Sequence, residues 1–284
     1  MSFEYINEIK NAYNRNFLVY DKKDGVQWIG KISKSLQEKG VYFDDLNSRA
    51  ILAQRLSILL DLQFPEYKLV LSRKIGGLVL DASTKVVSDN VWLSKYAGIT
   101  LPEFLVNNSI GEIKNIDKFF ENIVFNLWIG NYDRKDYDCL VNENGYLSFI
   151  DYHLWGPGFY QDNSLALGAY AESYSIDDPY DTGWCIGSPY LIQFIREKKV
   201  KIESFSHMIN KIEIINKKQI ESCIVGLSFT DEGGKKLQTE LIIGYLIKRK
   251  TIIHHALDLW INSGYPKGKR PKNPEHGDDI YKDI

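Results

Sequence analysis

Four aspartates crowd into one short stretch of this chain, Trp128 to Trp155, which reads WIGNYDRKDYDCLVNENGYLSFIDYHLW. Asp133, Asp136 and Asp138 precede a predicted hairpin, and Asp151 follows its second apolar strand directly. Like charges at short range push each other's pKa upward, and the usual remedy is a cation. A hard divalent ion such as Mg²⁺ takes one or two carboxylates together with waters and substrate phosphates. An EF-hand is the obvious competitor, but the glycine at its sixth position is missing and the acidic spacing is wrong. The bland alternative is a solvated acidic loop that caps a strand.

Spacing says more than acidity. Alternation through Tyr146, Leu147, Ser148, Phe149 and Ile150 fits a half-buried strand, and Asn144-Gly145 is a strong turn signal. A hairpin over CLVN-ENG-YLSFI therefore brings Asp151 back toward the loop that carries the other carboxylates. Protein kinases place an Asp that orients the attacking hydroxyl, a metal ligand five positions on, and a second metal-binding Asp after a following strand. Asp133 and Asp138 stand five apart, with Asp151 beyond the hairpin.

The run FNLWIGNYDR, Phe125 to Arg134, and IDYH, Ile150 to His153, resemble the catalytic segment of HipA-like kinases and the related phosphatidylinositol-kinase-like group. There F-x-x-W-x-G-N-x-D-R is followed by a strand and then I-D-H-G or I-D-F-G. Other landmarks fall in the same order. FLVYDKKDGVQWIGKIS resembles the family's first hairpin and aligns Lys31 with its ATP-contacting lysine. RAILAQRLSILLDLQFPEYKLV resembles the helix and strand that follow, and WLSKYAG the segment near the interlobe connection.

The resemblance implies an α+β, two-lobe protein-kinase-like fold. A small β-rich N-lobe with one main helix spans residues 1–95, a larger and mostly helical C-lobe spans 96–262, and a polar tail spans 263–284. It implies ATP and Mg²⁺ as cofactors and phosphoryl transfer to a hydroxyl, a Ser or Thr of a protein partner. Asp133 orients the substrate hydroxyl, Arg134 and Lys135 complete the catalytic run, and Asp138 and Asp151 hold the metal. Lys31 supplies positive charge to the phosphates, with Lys34 as substitute if the register shifts by three. Arg134 is either a salt-bridge partner of the aspartates or a phosphate contact, and His153 either touches substrate or is simply hydrogen-bonded.

The departures matter too. Asp138 stands where the family has a metal-binding Asn, and Lys135 where it has His or Asn. The Glu expected to pair with the lysine falls on Ala50, beside Arg49, and NAYNRNF lacks the glycines that let backbone approach phosphates. These support a rival reading, a degenerate kinase fold serving as a non-catalytic binding module. A metal-dependent hydrolase lacks the accompanying His and Glu ligands, and nucleotidyl transfer would use the same metal centre.

The elements that must position these residues are partly readable. The first lobe should open with a helix up to Tyr13, then strands near Phe17–Tyr20 and Val26–Ser33 joined at Asp24-Gly25. Ile51, Leu52, Leu56, Leu59 and Leu60 recur at helical spacing within residues 44–62. Short strands are expected at Tyr67–Leu71 and Gly77–Leu80. Phe119, Phe120, Ile123, Val124, Leu127 and Trp128 form one apolar face of a helix that holds the Asp133 loop. Residues 220–229 are ambiguous between strand and helix, and Leu237 to Trp260 reads as one long helix.

Composition sets the frame. The 284 residues can bury a large core, and 44% hydrophobic with 25% charged is ordinary for a globular protein. A net charge of −2 exerts no global pull on nucleic acid or anionic membranes. The start lacks the apolar core of a signal peptide and no apolar run reaches bilayer length. Cys139, Cys185 and Cys223 are odd in number and widely spaced, so a reducing cytoplasm is the expected compartment.

Overall fold

The computed structural model describes residues 2–9, 15–32, 46–62, 64–79, 90–131, 136–152, 155–156, 188–229 and 236–266. Asp133, Arg134, Lys135, Lys34, His153, residues 11–14 and residues 267–284 lie outside them.

The chain is α+β, with a curled sheet in its N-terminal part and helices in its C-terminal part. Strands β1 (Phe3–Ile9), β2 (Arg15–Asp21) and β3 (Val26–Ile32) form an antiparallel meander, and Gly25 takes φ +68° in the β2–β3 turn. Helix α1 (Leu46–Leu59) follows, then β4 (Tyr67–Leu71), the short β5 (Ile75–Gly76) and β6 (Asn90–Lys95). The sheet order is β4-β6-β3-β2-β1-β5, so β6 is inserted between β3 and β4. Lys31 lies opposite Trp92 in the β3–β6 ladder.

Two expectations fail here. The opening helix is strand β1: Phe3 and Tyr5 alternate onto the sheet core, and β1 is needed to pair with both β2 and β5. The strand expected at Gly77–Leu80 is instead the two-residue β5, because Gly77 at φ +79° turns the chain immediately after it.

Beyond β7 (Ile99–Thr100) and α2 (Leu101–Leu105), helix α3 (Asp117–Ile129) runs through the interior. Its apolar face is wider than one stripe, since every residue from Asn122 to Ile129 is buried. Strands β8 (Cys139–Val141) and β9 (Leu147–Phe149) make the expected hairpin, and β7 adds a third strand beside β8. At the hairpin turn Gly145 has φ +80°, and Asn142 Oδ1 accepts from the amides of Asn144 and Tyr146.

Helices α4 (Pro189–Lys198), α5 (Ser206–Ile214), α6 (Lys217–Ile224), α7 (Thr239–Lys250) and α8 (Ile253–Asn262) complete the described elements. The ambiguous 220–229 segment enters helix α6, capped by Asn216 and Gln219 in a reciprocal box. The long late helix is in fact two. The break falls at Thr251-Ile252, where β-branched residues weaken the helix and Thr251 Oγ1 bonds the Lys248 carbonyl; Gly244 continues the helix without interruption.

Buried apolar residues fall into two clusters. The smaller lies on the sheet, around Phe17, Val19, Trp28, Val91 and Leu93. The larger surrounds α3 and also takes Leu52, Ala53 and Leu56 of α1. Thus α1 is joined to the sheet along the chain and to the helical part by packing. Among the described residues, no helix is long and apolar enough to cross a membrane.

Candidate functional site

The segment that carries Asp133 follows α3 in sequence, and the end of that helix is fixed from several directions. Gly130 takes the left-handed conformation at φ +71°, and its amide bonds Asn126 O at 2.8 Å. Asn131 follows, fully buried, with its amide on Asn126 O at 2.9 Å and its Nδ2 on Asn126 Oδ1 at 3.3 Å. Its own Oδ1 is buried and has no hydrogen-bond partner among the described residues. The buried Arg249 of α7 donates to the carbonyls of Leu127 and Trp128, the last turn of α3, where a cation also complements the helix dipole. Trp128 Nε1 returns the connection, donating to Leu246 O at 2.9 Å. The C-terminal end of α3 is therefore held by side-chain and backbone bonds.

The chain reappears as a single 3₁₀ turn, Asp136–Asp138, that leads into β8. Asp138 is buried, and its carbonyl accepts from the Ile150 amide at 3.0 Å, which extends the Cys139–Phe149 pairing of the hairpin by one step. Asp151 is the next residue. Backbone pairing thus sets Asp138 and Asp151 one step apart at the open end of the hairpin, as the sequence pattern implies.

Lys31 reaches this point from the sheet. Its Nζ lies 2.6 Å from Asp151 Oδ1, across 120 positions of sequence, with the two side chains 20% and 23% exposed. Of the sequence-predicted residues, Lys31, Asp138 and Asp151 are described and converge on the hairpin end. Asp133, Arg134 and Lys135 lie outside the described residues, between Asn131 and Asp136.

Asp151 itself has φ +72°, a left-handed conformation that costs a non-glycine residue free energy and persists only where neighbours hold it. Those neighbours are visible. Tyr152 is buried, its ring 4.4 Å from that of Phe64 and 5.7 Å from that of Phe125, and its hydroxyl donates to Asn122 Oδ1 on α3. Further on, Trp155 Nε1 donates to Arg49 O at 3.1 Å, and Arg49 Nη1 donates to Trp155 O.

Sequence reasoning missed Arg249, Asn122, Tyr152 and the use made of Arg49. The available signals were weak: an Arg in the last turn of an apolar helix, an Asn inside an otherwise apolar one, and an Arg beside the alanine that replaces an expected Glu. Trp128 and Trp155 are both buried, and each also carries a hydrogen bond.

Chemically, aspartates at neighbouring ladder positions of a hairpin end are the residue type that suits a hard cation. The Lys31 ammonium already sits against one of them, so the position favours positive charge. Among the described residues no group of three or more His, Cys, Asp or Glu side chains is gathered closely enough to form a ready-made metal cage. A Mg²⁺ site that takes part of its coordination from substrate phosphates needs only one or two protein carboxylates. Comparison of the chain with protein-family models and with curated proteins found no match.

Proposed function

We propose that this chain is an ATP- and Mg²⁺-dependent kinase that transfers a phosphoryl group to a hydroxyl, a Ser or Thr of a protein, with a two-lobe protein-kinase-like fold. The observation that carries the reading is the Lys31–Asp151 pair. A lysine on the third strand of one sheet meets the aspartate that ends a separate hairpin, 120 residues later, as a phosphate-binding lysine and a metal-binding aspartate must. The placement of α1 between β3 and β4, and of β6 between those two strands in the sheet, supports the same architecture. The reading divides the chain into lobes at 1–95 and 96–262 and a tail at 263–284; the smaller apolar cluster belongs to the first lobe, while the larger also takes Leu52, Ala53 and Leu56 of α1.

In this reading Asp138 and Asp151 hold the metal, and Lys31 sets its ammonium toward the phosphates. When bound, Mg²⁺ neutralises charge on the β- and γ-phosphates. The chain's own residues do the rest. Asp133 orients the acceptor hydroxyl and takes its proton as the new oxygen–phosphorus bond forms, the bond to the β-phosphate oxygen breaks, and ADP leaves. The segment that bears Asp133 runs in sequence from the fixed end of α3 to the hairpin that bears Asp138 and Asp151. Positioning of this kind supplies most of the catalysis in phosphoryl transfer.

The test is calorimetric titration of ATP with and without Mg²⁺, on wild type and Asp151→Asn. Metal-dependent binding that the substitution weakens is the expected result. Absence of nucleotide binding under both conditions would overturn the reading and favour the non-catalytic docking module, for which the buried Ala50 in place of a carboxylate is the specific observation. Where binding is seen, Asp133→Ala should abolish turnover and leave the fold intact.

A further inference from the structure

The segment after β9 is fastened on both sides of Asp151, and the fastening farther along belongs to no part of the scheme above. Arg49 lies near the start of α1, with 0% exposure, and Trp155 is 1% exposed. The two residues, 106 positions apart, exchange hydrogen bonds in both directions, each side chain donating to the other's carbonyl. Gly156 makes room for this: a Cβ there would stand 3.1 Å from Arg49 Nη1, and its φ of +81° is one that side chains rarely adopt. The bracket is therefore built into three residues, two by their donors and one by its lack of a side chain.

Its position is what gives it meaning. A carboxylate on α1 would tie that helix to Lys31, but position 50 is a buried alanine and Lys31 is engaged by Asp151. The adjacent residue, Arg49, ties α1 instead to the chain four residues beyond Asp151. Between the two lies Tyr152, held by Asn122, and before them Ile150, held by Asp138. The left-handed Asp151 thus sits in a strip bound to the 3₁₀ turn, α3 and α1, while its side chain is bound to β3.

We propose that Arg49 and Trp155 are positioning residues for Asp151, and that their reciprocal bracket takes over the coupling of α1 to the site that a helix carboxylate would otherwise provide. The inference rests on the kinase-like reading only in giving Asp151 a metal to hold. Withdrawal of α1 would break two buried hydrogen bonds, so the bracket keeps the site assembled with no ion pair between α1 and Lys31. Arginine is suited to this because its planar donors reach a carbonyl without losing their charge, and tryptophan because its indole N–H donates from an otherwise apolar side chain.

The experiment is ATP calorimetry with and without Mg²⁺ on the full chain, for Trp155→Phe and Arg49→Lys, each with Asp151 present and in an Asp151→Asn background, with denaturant unfolding alongside. Trp155→Phe removes the indole donor and keeps an aromatic ring; Arg49→Lys keeps the charge and a single donor group. The expected result is a loss of Mg²⁺-dependent affinity of about three- to tenfold, the size of one buried hydrogen bond partly transmitted. Metal-free ATP binding should be unaffected, and no further loss should appear once Asp151 is Asn. Equal losses in both backgrounds, or equal losses with and without metal, would assign the bracket a structural role only and overturn the proposal. If Trp155→Phe fails to fold, Arg49→Lys is read against the same outcomes. If Asp151→Asn alone leaves the Mg²⁺ dependence unchanged, the kinase-like reading itself fails, an outcome distinct from failure of the bracket.

Discussion

Replacing Lys31 with methionine should act in opposite directions on metal and nucleotide. In the structure the Lys31 ammonium is 2.6 Å from Asp151 Oδ1, with about a fifth of each side chain exposed. At an effective dielectric of about 20 and a charge separation of roughly 3.5 Å, the gross attraction is about 5 kcal/mol. Desolvation and partial water access cancel most of it, leaving about 1.5 kcal/mol, the lower end for a charge-assisted hydrogen bond. A cation that binds Asp151 must displace or crowd this ammonium. Lys31→Met removes both the competition and the like-charge repulsion, so Mg²⁺ alone should bind about tenfold more tightly, since 1.4 kcal/mol is one decade. ATP in the presence of Mg²⁺ should bind more weakly, because the phosphates lose their lysine. The folded state should lose about 1–2 kcal/mol, because a partly buried carboxylate is left without its ammonium. Calorimetry with Mg²⁺ alone, then with ATP at saturating Mg²⁺, reads both signs on one protein. A folded Lys31→Met variant that binds Mg²⁺ no more tightly than wild type would refute Asp151 as a metal ligand.

Tyr152→Phe keeps the ring contacts with Phe64 and Phe125 but strands the Asn122 carbonyl, so denaturant unfolding should show a loss of about 1–2 kcal/mol. Gly98→Ala should cost about 2 kcal/mol or more by the same measurement, because a Cβ there collides with the Val141 carbonyl while φ stands at +132°. Arg249→Met leaves the last carbonyls of α3 without their donor and should destabilise by about 2–4 kcal/mol, with faster hydrogen exchange at Gly130 and Asn131. The Ser109 backbone N–H and hydroxyl hold Glu112 below the usual carboxylate range. This cap therefore contributes stability above the unfolded pKa and loses it as pH falls through the folded one. A Glu112→Gln variant should show a shallower acid-side decline than wild type, and identical pH profiles would contradict the assignment.

Much of the fold was legible where one local signal dominated. The β2–β3 hairpin was announced by Asp24-Gly25 between apolar strands, and β8–β9 by Asn144-Gly145, because glycine there supplies the positive φ the turn needs. Helices α1 and α3 were legible from apolar residues at helical spacing, α3 as one apolar face that proves wider in the structure. The opening strand was not, since its first residues alternate but the rest, Ile6 to Ile9, is exposed and carries no pattern; pairing with β2 and β5 decides it. The break at Thr251 was hidden because apolar spacing continues through it into α8 and outweighs the weak local signal of the β-branched pair Thr251-Ile252.

The site was legible in its charges and not in its supports. Asp138 and Asp151 were picked out by type and spacing and Lys31 by the family resemblance, and the structure brings Lys31 onto Asp151 and Asp138 to the neighbouring ladder position. What sequence could not supply were the acceptors, because most of them are main-chain carbonyls: Trp155 for Arg49, Leu127 and Trp128 for Arg249. A carbonyl has no residue type, so no motif records it. Reading Ala50 against the family pattern registered only a missing carboxylate. The same reading had no means to see that the neighbouring arginine binds the chain 106 residues away. A missing ion pair in a motif is therefore weak evidence for a dead site until the backbone acceptors around it have been counted.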